Sequence, residues 1–469
     1  MSQQTPPSSY DYDVIVIGSG PGGHEAAMRA AREGMTVCIV EKAALGGVCV
    51  NWGCIPTKAL LRSAEIFRLA HDSSRFGLDI ADSVQDLSTA VRRSRKVVLL
   101  ASKGVKSSLK KNGVDIRKGH ASFVDAHTLK IEKEGGEERI SARYIIVATG
   151  GRSRSLPSLA MDGKYIISST DALALKQPPR RMIVIGGGAI GLEMAWYYHA
   201  AGTEVTVVEM MPRILPQEDE EISEGLLRSL RKAGITVFCG SSVQKAEVGN
   251  DGTVSALVRL DDGSETGLEA ECMLVAVGVS PNSEGLGLET AGIGTDRGFI
   301  VTDEQCRTAV PNVYAIGDVR GGMLLAHKAS AEAVVAVDSL AGRQSAGVDP
   351  TKVPRCVYVE PSVACVGLTE REAREAGNEV LVGKAMFAAS GKSSAYGERD
   401  GFVKLLFDAT TGELLGGHLL GHGAVELIGE LALARSLGAT AAQIAGTVHA
   451  HPTLSESVRE AAEDALSGA

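Results

Sequence analysis

The chain has 469 residues, too many for one compact core, so about three domains of ordinary size are expected. Hydrophobic residues make up 44% and charged residues 22%, the balance of a soluble globular protein. The 48 basic against 57 acidic residues leave a net charge of −9, and no Lys/Arg-rich run appears, which argues against nucleic acid as the main partner.

Residues 1–10 are polar, lack the charged-then-apolar pattern of a signal peptide and read as a flexible tail, so the expectation is a cytoplasmic protein. From Tyr12 the sequence YDVIVIG–SGPGG–HEAAMRAAREG–MTVCIVEK predicts strand, glycine turn, helix and strand. Val14–Ile17 is a continuous apolar run, as a buried parallel strand requires. Gly18, Gly20 and Gly23 have the spacing G-x-G-x-x-G, and Glu41 closes the second strand. The unit returns at RRMIVIG–GGAIG–LEMAWYYHAAG–TEVTVVEM, with Gly186, Gly188, Gly191 and Glu209; in both copies the first glycine lies 23 residues before the acid. Glycines in such a turn let backbone approach a pyrophosphate at the helix N-terminus, and the acid takes ribose hydroxyls. One such turn is weak evidence; two, each in strand–turn–helix–strand context, predict two bound dinucleotides. The apolar run Met182–Gly202 is broken by glycines and Glu193 and is not expected to span a membrane.

Between and after the copies, RYIIVATG (Arg143–Gly150), ECMLVAVG (Glu271–Gly278) and NVYAIGDV (Asn312–Val319) read as strands, the first two ending at a glycine and the third at Gly317 and Asp318. Gly342–Pro354 reads as a linker to a last α+β domain. The acidic run Glu218–Glu221 reads as a helix-opening cap.

Two cysteines, Cys49 and Cys54, stand in GGVCVNWGCIPTK (Gly46–Lys58). A zinc site usually needs a second cluster of ligands, which is missing, and no metal is expected. A structural disulfide is disfavoured in a cytoplasmic chain. A redox pair at a glycine turn leading into a helix remains, with a thiolate favoured by the helix N-terminus. Its base should be a histidine. In VHAHPTLSESVRE, His451 stands before Glu456, a carboxylate able to fix its tautomer, and Pro452 reads as the start of the helix carrying Glu456. Cys38, Cys239 and Cys272 read as inert core thiols, and Cys356 and Cys365 as separate ones.

GGVCVNWGCIPTK, HAHPTLSE, AIGDV and the two fingerprints together resemble the FAD-dependent pyridine nucleotide–disulfide oxidoreductases, most closely the branch that oxidises dihydrolipoyl groups. The resemblance runs from about Asp11 to about Leu466. It implies an α/β fold of two Rossmann-like domains plus a C-terminal α+β dimerisation domain. The expected division is 11–150 and 281–345 for FAD, 151–280 for NAD and 346–469 for the interface. FAD would be held by Gly18, Gly20, Gly23, Glu41, Lys42, Gly47, Thr149, Gly150, Asp318 and Ala326. NAD would be held by Gly186, Gly188, Gly191, Glu209 and Gly278. Cys49 would exchange with substrate and Cys54 would face the flavin. Lys58, paired with Glu193, would lie near the reactive flavin nitrogen. His451, backed by Glu456, would act from the other subunit of a homodimer. The implied partner is a lipoyl-bearing carrier of a 2-oxoacid dehydrogenase complex or glycine cleavage system; a related disulfide reductase and a flavin redox sensor are the alternatives. Glu209, with no arginine directly after it, favours NAD over NADP. Val279 stands where relatives often carry arginine, and His418 and His422 are expected at the surface.

Overall fold

The computed structural model describes residues 10–80, 84, 86–156 and 159–468. Apart from Tyr10, the expected tail lies outside the described residues. The chain forms two compact units, one of Met1–Ala59, Arg92–Ser153 and Val279–Asp349, the other of Leu60–Val91, Arg154–Gly278 and Pro350–Ala469. The first unit's segments end at Ser153 and Asp349, near the expected divisions after 150 and 345, whereas 154–278 and 350–469 share one unit.

In the first unit the strands Asp115–Lys118, Val37–Glu41, Tyr12–Ile17, Gly136–Val147 and Val313–Ala315 stand side by side and parallel. Gly136–Val147 is long enough to serve twice, since its first half pairs antiparallel with Thr128–Lys133. The apolar run in Tyr12–Ile17 is explained by burial on both faces. Val14 and Val16 pack with Ala26, Ala27 and Ala30 of helix Pro21–Arg32 and with Ala333 and Ala336 of helix Ala326–Leu340. Ile15 and Ile17 pack with Leu129, Ile131 and Ile145 on the opposite side. Because the strands run the same way, their carboxyl ends bring Gly18, Glu41, Ala148–Gly150 and Gly317–Asp318 to one edge of the sheet, where open α/β sheets bind ligands.

The second unit repeats this plan. Thr236–Phe238, Glu204–Val208, Arg181–Ile185, Cys272–Val275 and Ile166–Ile167 form a parallel five-stranded sheet. Its C-terminal part is a five-stranded antiparallel sheet in the order Arg355–Val357, Val363–Gly367, Leu414–Leu420, Phe402–Asp408 and Val380–Met386. Helices Ala424–Leu437 and Glu456–Ser467 close one face, their Leu431 and Val458 packing with Val403, Leu405 and Leu419 of the sheet. No helix among the described residues is long and apolar enough to cross a membrane.

The other face of that antiparallel sheet bears out one expectation, adds to it, and corrects another. Arg355, Cys365, His418, Lys404 and Lys384 stand opposite one another in register, one row across all five strands. The acidic run lies on that row. Arg355 binds Glu218 through both carboxylate oxygens at 2.9 and 3.1 Å, and Lys404 reaches Asp219 at 3.0 Å, Glu221 at 2.9 Å and Glu370 at 2.7 Å. Lys384 binds Glu221. As expected, the run opens a helix, with Asp219 capping Glu220–Ala233 by accepting from Glu221 N; it also forms an ionic seam. His418 is not a surface residue: it is fully buried, Nε2 lies 2.9 Å from Leu368 O and Nδ1 has no partner. Its strand alternates inward and outward, and the inward side here carries charge, so a polar residue marked the face without marking solvent. His422 is half-buried beside Glu360, which raises its pKa.

The six remaining cysteines are free thiols. Burial pushes Cys38 and Cys272 up to about 12, which keeps them protonated. Cys239 is half-buried. Cys356 opposes Ala364 and Cys365 opposes Arg355, so the two point to opposite faces of the sheet.

Candidate active site and dinucleotide cradles

Cys49 and Cys54 are joined as a disulfide, with Cα atoms 4.6 Å apart. The expected single helix is two: Gly47–Trp52 carries Cys49, and Cys54 opens Cys54–His71. Gly53, at φ −138° and ψ −109°, makes the break. Pro56 sits in the first turn of the second helix, where its missing N–H leaves no bond unmade. The loop is tied down from within: Asn51 is buried and its amide donates to Gly47 O at 2.9 Å and Leu45 O at 3.0 Å. Thr57 Oγ1 donates to Gly53 O at 2.6 Å, Arg95 to Asn51 O at 3.0 Å and Ser102 to Leu45 O at 2.9 Å. On reduction, a thiolate at Cys54 would sit at the N-terminus of an 18-residue helix, whose dipole and free N–H groups stabilise it. Both cysteines are half-buried, as is Lys58, which follows Cys54 by one helical turn.

The first fingerprint lies against this loop. A Cβ on Gly47 would stand 2.8 Å from Gly20 Cα. Each fingerprint glycine has a separate reason. Gly18 turns at φ +98°, and a Cβ there would lie 2.4 Å from Ala148 O. Gly23 packs helix on strand so closely that a Cβ would lie 2.0 Å from Gly18 O. Around Gly20 nothing lies within 4 Å of a Cβ position, so the protein leaves open space there. Gly20 also begins helix Pro21–Arg32 with no side chain capping its N–H groups. Open space before an uncapped N-terminus fits a pyrophosphate. Glu41 accepts from Ser19 N at 2.9 Å, Ser19 Oγ at 2.6 Å and Ala43 N at 2.8 Å, with acceptor capacity left for hydroxyls. Lys42 beside it is exposed.

At the neighbouring strand ends, Thr149 Oγ1 donates to Asn282 O at 2.7 Å and the Asn282 amide returns to Thr149 O at 3.0 Å. Gly150 has φ +68° and faces open space. Asp318 stands in the turn Gly317–Arg320; burial raises its pKa and Lys328 opposes that rise. Ala326 opens helix Ala326–Leu340, again without a side-chain cap. These groups fit the phosphates and chain hydroxyls of FAD.

The second fingerprint repeats the backbone geometry of the first, without a counterpart of the Ser19 hydroxyl. Gly186 turns at φ +111° with Ala276 O 2.4 Å from a Cβ position, Gly191 would meet Gly186 O at 2.0 Å, and Gly188 faces open space at the uncapped N-terminus of Ala189–Ala200. Glu209 accepts from Gly187 N at 2.5 Å and Met211 N at 2.7 Å, the positions that serve Glu41 in the first copy. Gly278, at φ +118°, lies next to open space. Arg213 is held by Glu220 at 2.6 Å. Glu193 is buried and accepts from Tyr358 N at 3.1 Å.

His451 Nδ1 lies 2.9 Å from Glu456 Oε1, and Glu456 Oε2 accepts from Thr453 N at 2.9 Å. The Thr453 N–H, and then His451, hold the Glu456 carboxyl below the usual range. The helix begins at Glu456, four residues later than expected, and Pro452 belongs to the turn before it. The imidazole is 83% exposed, so Nε2 faces outward. Beyond these residues, Ser19, Asn51 and Glu332 support the site. Asn51 between two cysteines is a visible signal; Glu332, in an alanine-rich helix, shows in the sequence only as a helical partner for Lys328 four residues before it.

A family model described as pyridine nucleotide-disulphide oxidoreductase matches residues 12–333, and the dimerisation domain of the same family matches 353–462. A dihydrolipoyl dehydrogenase of Chlorobaculum parvum is 58% identical over 466 residues, covering 99% of each chain. One from Bacillus subtilis is 41% identical over 461 residues, covering 96% of this chain and 97% of its own. Among solved structures, LpdA from Mycobacterium tuberculosis matches with TM-score 0.89 at 28% identity, covering 96% of this chain and 99% of its own. The HOCl-induced flavoprotein disulfide reductase RclA from Escherichia coli matches with TM-score 0.85 at 27% identity, over the same shares. With both family models spanning nearly the whole chain and the cysteine pair set against the first cradle, the chain belongs to the pyridine nucleotide–disulphide oxidoreductases.

Proposed function

We propose that the chain is a dihydrolipoyl dehydrogenase, oxidising protein-bound dihydrolipoyl groups with NAD⁺ as final acceptor. The observation that carries this reading is the Cys49–Cys54 disulfide, held by Gly47 against Gly20 of an open dinucleotide cradle. FAD, bound over 11–150 and 281–345, would supply two-electron chemistry between thiols and NAD⁺. The chain's own residues do the rest. A substrate thiolate attacks Cys49 Sγ; the Cys49–Cys54 bond breaks and its electron pair stays on Cys54 as a thiolate, favoured by the helix N-terminus. The second substrate thiolate then displaces Cys49, which closes the lipoyl ring. His451 Nε2 takes the substrate proton, while Glu456 holds Nδ1–H and stabilises the imidazolium. The exposure of His451 on its own chain suits action on the other subunit of a homodimer built by 346–469. Lys58, one turn from Cys54, would stand by the flavin nitrogen. Glu209 would receive the NAD ribose.

Purified protein with FAD should form NADH from dihydrolipoamide and NAD⁺ and use NADP⁺ at least about a hundredfold less efficiently. Replacing His451 with Gln should lower kcat by about 10²–10⁴ while FAD stays bound. Flavin-loaded protein that turns over neither cofactor would sink the reading and direct attention to other disulfide substrates. The physiological partner proposed is a lipoyl-bearing carrier of a 2-oxoacid dehydrogenase complex or of glycine cleavage.

A further inference from the structure

Glu332 is a fully buried carboxylate that the reaction itself does not use. It stands in helix Ala326–Leu340, below the carboxyl edge of the first unit's sheet. At that edge Ile316 N still donates to Val147 O at 3.0 Å, and the chain then turns at Gly317, φ +75°, to present Asp318. Once past the strand, Gly317 N–H has no backbone acceptor; Glu332 Oε2 supplies one at 2.7 Å. The other carboxylate oxygen binds Arg320 Nη1, at the far end of the same turn, and Lys328 Nζ at 3.1 Å. Lys328 in turn donates to Gly321 O at 3.0 Å, and Arg320 to Thr302 Oγ1 at 2.6 Å and Asp303 O at 3.1 Å. One carboxylate therefore ties down both ends of the turn Gly317–Arg320, which contains Asp318.

We propose that Glu332 is a positioning residue for the flavin dinucleotide: with Lys328 it fixes the Gly317–Asp318 corner, so that the Asp318 carboxylate meets the cofactor's hydroxyls in one orientation. This rests on the reading of the first unit as the FAD domain. A helix residue that only neutralised Arg320 and Lys328 would not need to accept from Gly317 N–H, the amide next to Asp318. The charged and titratable groups around Glu332 are Arg320, Lys328, Asp318 and the Cys306 thiol, whose Sγ lies 3.7 Å from Arg320 Nη1. Burial keeps that thiol protonated, near 12. On Asp318 the two helix residues act in opposite senses, Lys328 lowering and Glu332 raising its pKa on top of burial.

The test is release of FAD from the full-length holoprotein, followed on dilution as free-flavin fluorescence at a series of pH values. Glu332→Ala should release FAD at least about tenfold faster than the parent, as loss of a charge-assisted hydrogen bond predicts. Glu332→Gln keeps an amide oxygen for Gly317 N–H and should recover most of that loss. Release should accelerate on acidification as Asp318 gains a proton. Its midpoint should move to lower pH in Glu332→Gln and to higher pH in Lys328→Met, shifts that a purely structural role would not produce. Release within twofold of the parent in Glu332→Ala would overturn the proposal. So would faster release in Glu332→Ala and Glu332→Gln alike with an unshifted pH midpoint. If Glu332→Ala does not fold, Glu332→Gln and Lys328→Met still decide the matter through the midpoint. A parent protein that holds no flavin would instead remove the FAD reading itself, and the proposal with it.

Discussion

Asp219 and Lys404 are 185 residues apart, yet Lys404 Nζ donates to Asp219 Oδ1 at 3.0 Å with both side chains at most 3% exposed. Burial disfavours the ammonium, but Glu370, Glu221 and Asp219 outweigh it and leave the lysine's pKa raised. Such a pair is costly to break one side at a time, since the remaining charge stays buried without its partner. Lys404→Met should therefore lose about 3–5 kcal/mol of stability, read as a lower urea midpoint. Asp219→Asn combined with Lys404→Met should regain part of it. A Lys404→Met protein as stable as the parent would show that the seam carries no net stabilisation.

His418, next to Lys404 in the same row, gives that seam a pH dependence. Burial pushes its pKa below 6.5; Asp219 and Glu218 oppose the shift and Arg355 adds to it. The folded state thus binds the proton less readily than the unfolded state, where the imidazole titrates near 6.5. Stability is unaffected by this group above that value. It falls as pH drops below about 6.5, because only the unfolded chain then takes up the proton. His418→Asn should flatten the stability profile on the acid side of pH 6.5 and leave it unchanged at pH 8. An unchanged acid slope in urea titrations at several pH values would assign the acid sensitivity elsewhere.

This seam was also where the sequence was least legible. Glu218–Glu221 read as a helix cap because capping is local, and one member, Asp219, does cap. Its partners Arg355, Lys384 and Lys404 come from three strands of a sheet distant in the sequence, and strand register is set by tertiary packing. The glycine turns were legible because their chemistry is contained in one short stretch: a turn, an approach and a packing contact within six residues. The cysteine motif was legible as a pair, but not its break at Gly53, which depends on the disulfide geometry closing across two helices. Pro452 reads as a helix start, yet the helix begins only at Glu456, whose carboxylate turns back to the Thr453 N–H and to His451 Nδ1 ahead of it.

The fingerprint glycines should separate into two behaviours. Gly20 has φ −59° and open space, so Gly20→Ala is expected to fold with near-parental stability and to hold FAD about tenfold less tightly, its methyl lying where the pyrophosphate would sit. Gly188→Ala should do the same for NAD⁺, raising its KM about tenfold with FAD content unchanged. Gly23→Ala and Gly191→Ala place a methyl 2.0 Å from a carbonyl oxygen and should lower thermal stability whether or not ligand is present. Equal losses of stability in Gly20→Ala and Gly23→Ala would contradict the division of roles.

On the proposed reading, cofactor choice turns on Glu209 and Arg213, both of which follow strand Glu204–Val208. Glu209 is 8% exposed and holds two backbone N–H groups, so its carboxylate is fixed in place and would face a 2′-phosphate as an unrelieved like charge. Arg213, the nearest cation in sequence, is bound to Glu220 at 2.6 Å and donates to Pro216 O at 3.4 Å. The parent should use NADP⁺ at least about a hundredfold less efficiently than NAD⁺, in line with the cost of opposed charges. Glu220→Gln alone, which frees Arg213 but leaves Glu209, should not change that ratio. Glu209→Ala should narrow it mainly by weakening NAD⁺, because the ribose loses its acceptor. Only Glu209→Ala with Glu220→Gln should raise kcat/KM for NADP⁺ itself, since repulsion must be removed before a released guanidinium can attract. A gain for NADP⁺ in Glu220→Gln alone would mean that Arg213, not Glu209, sets the preference.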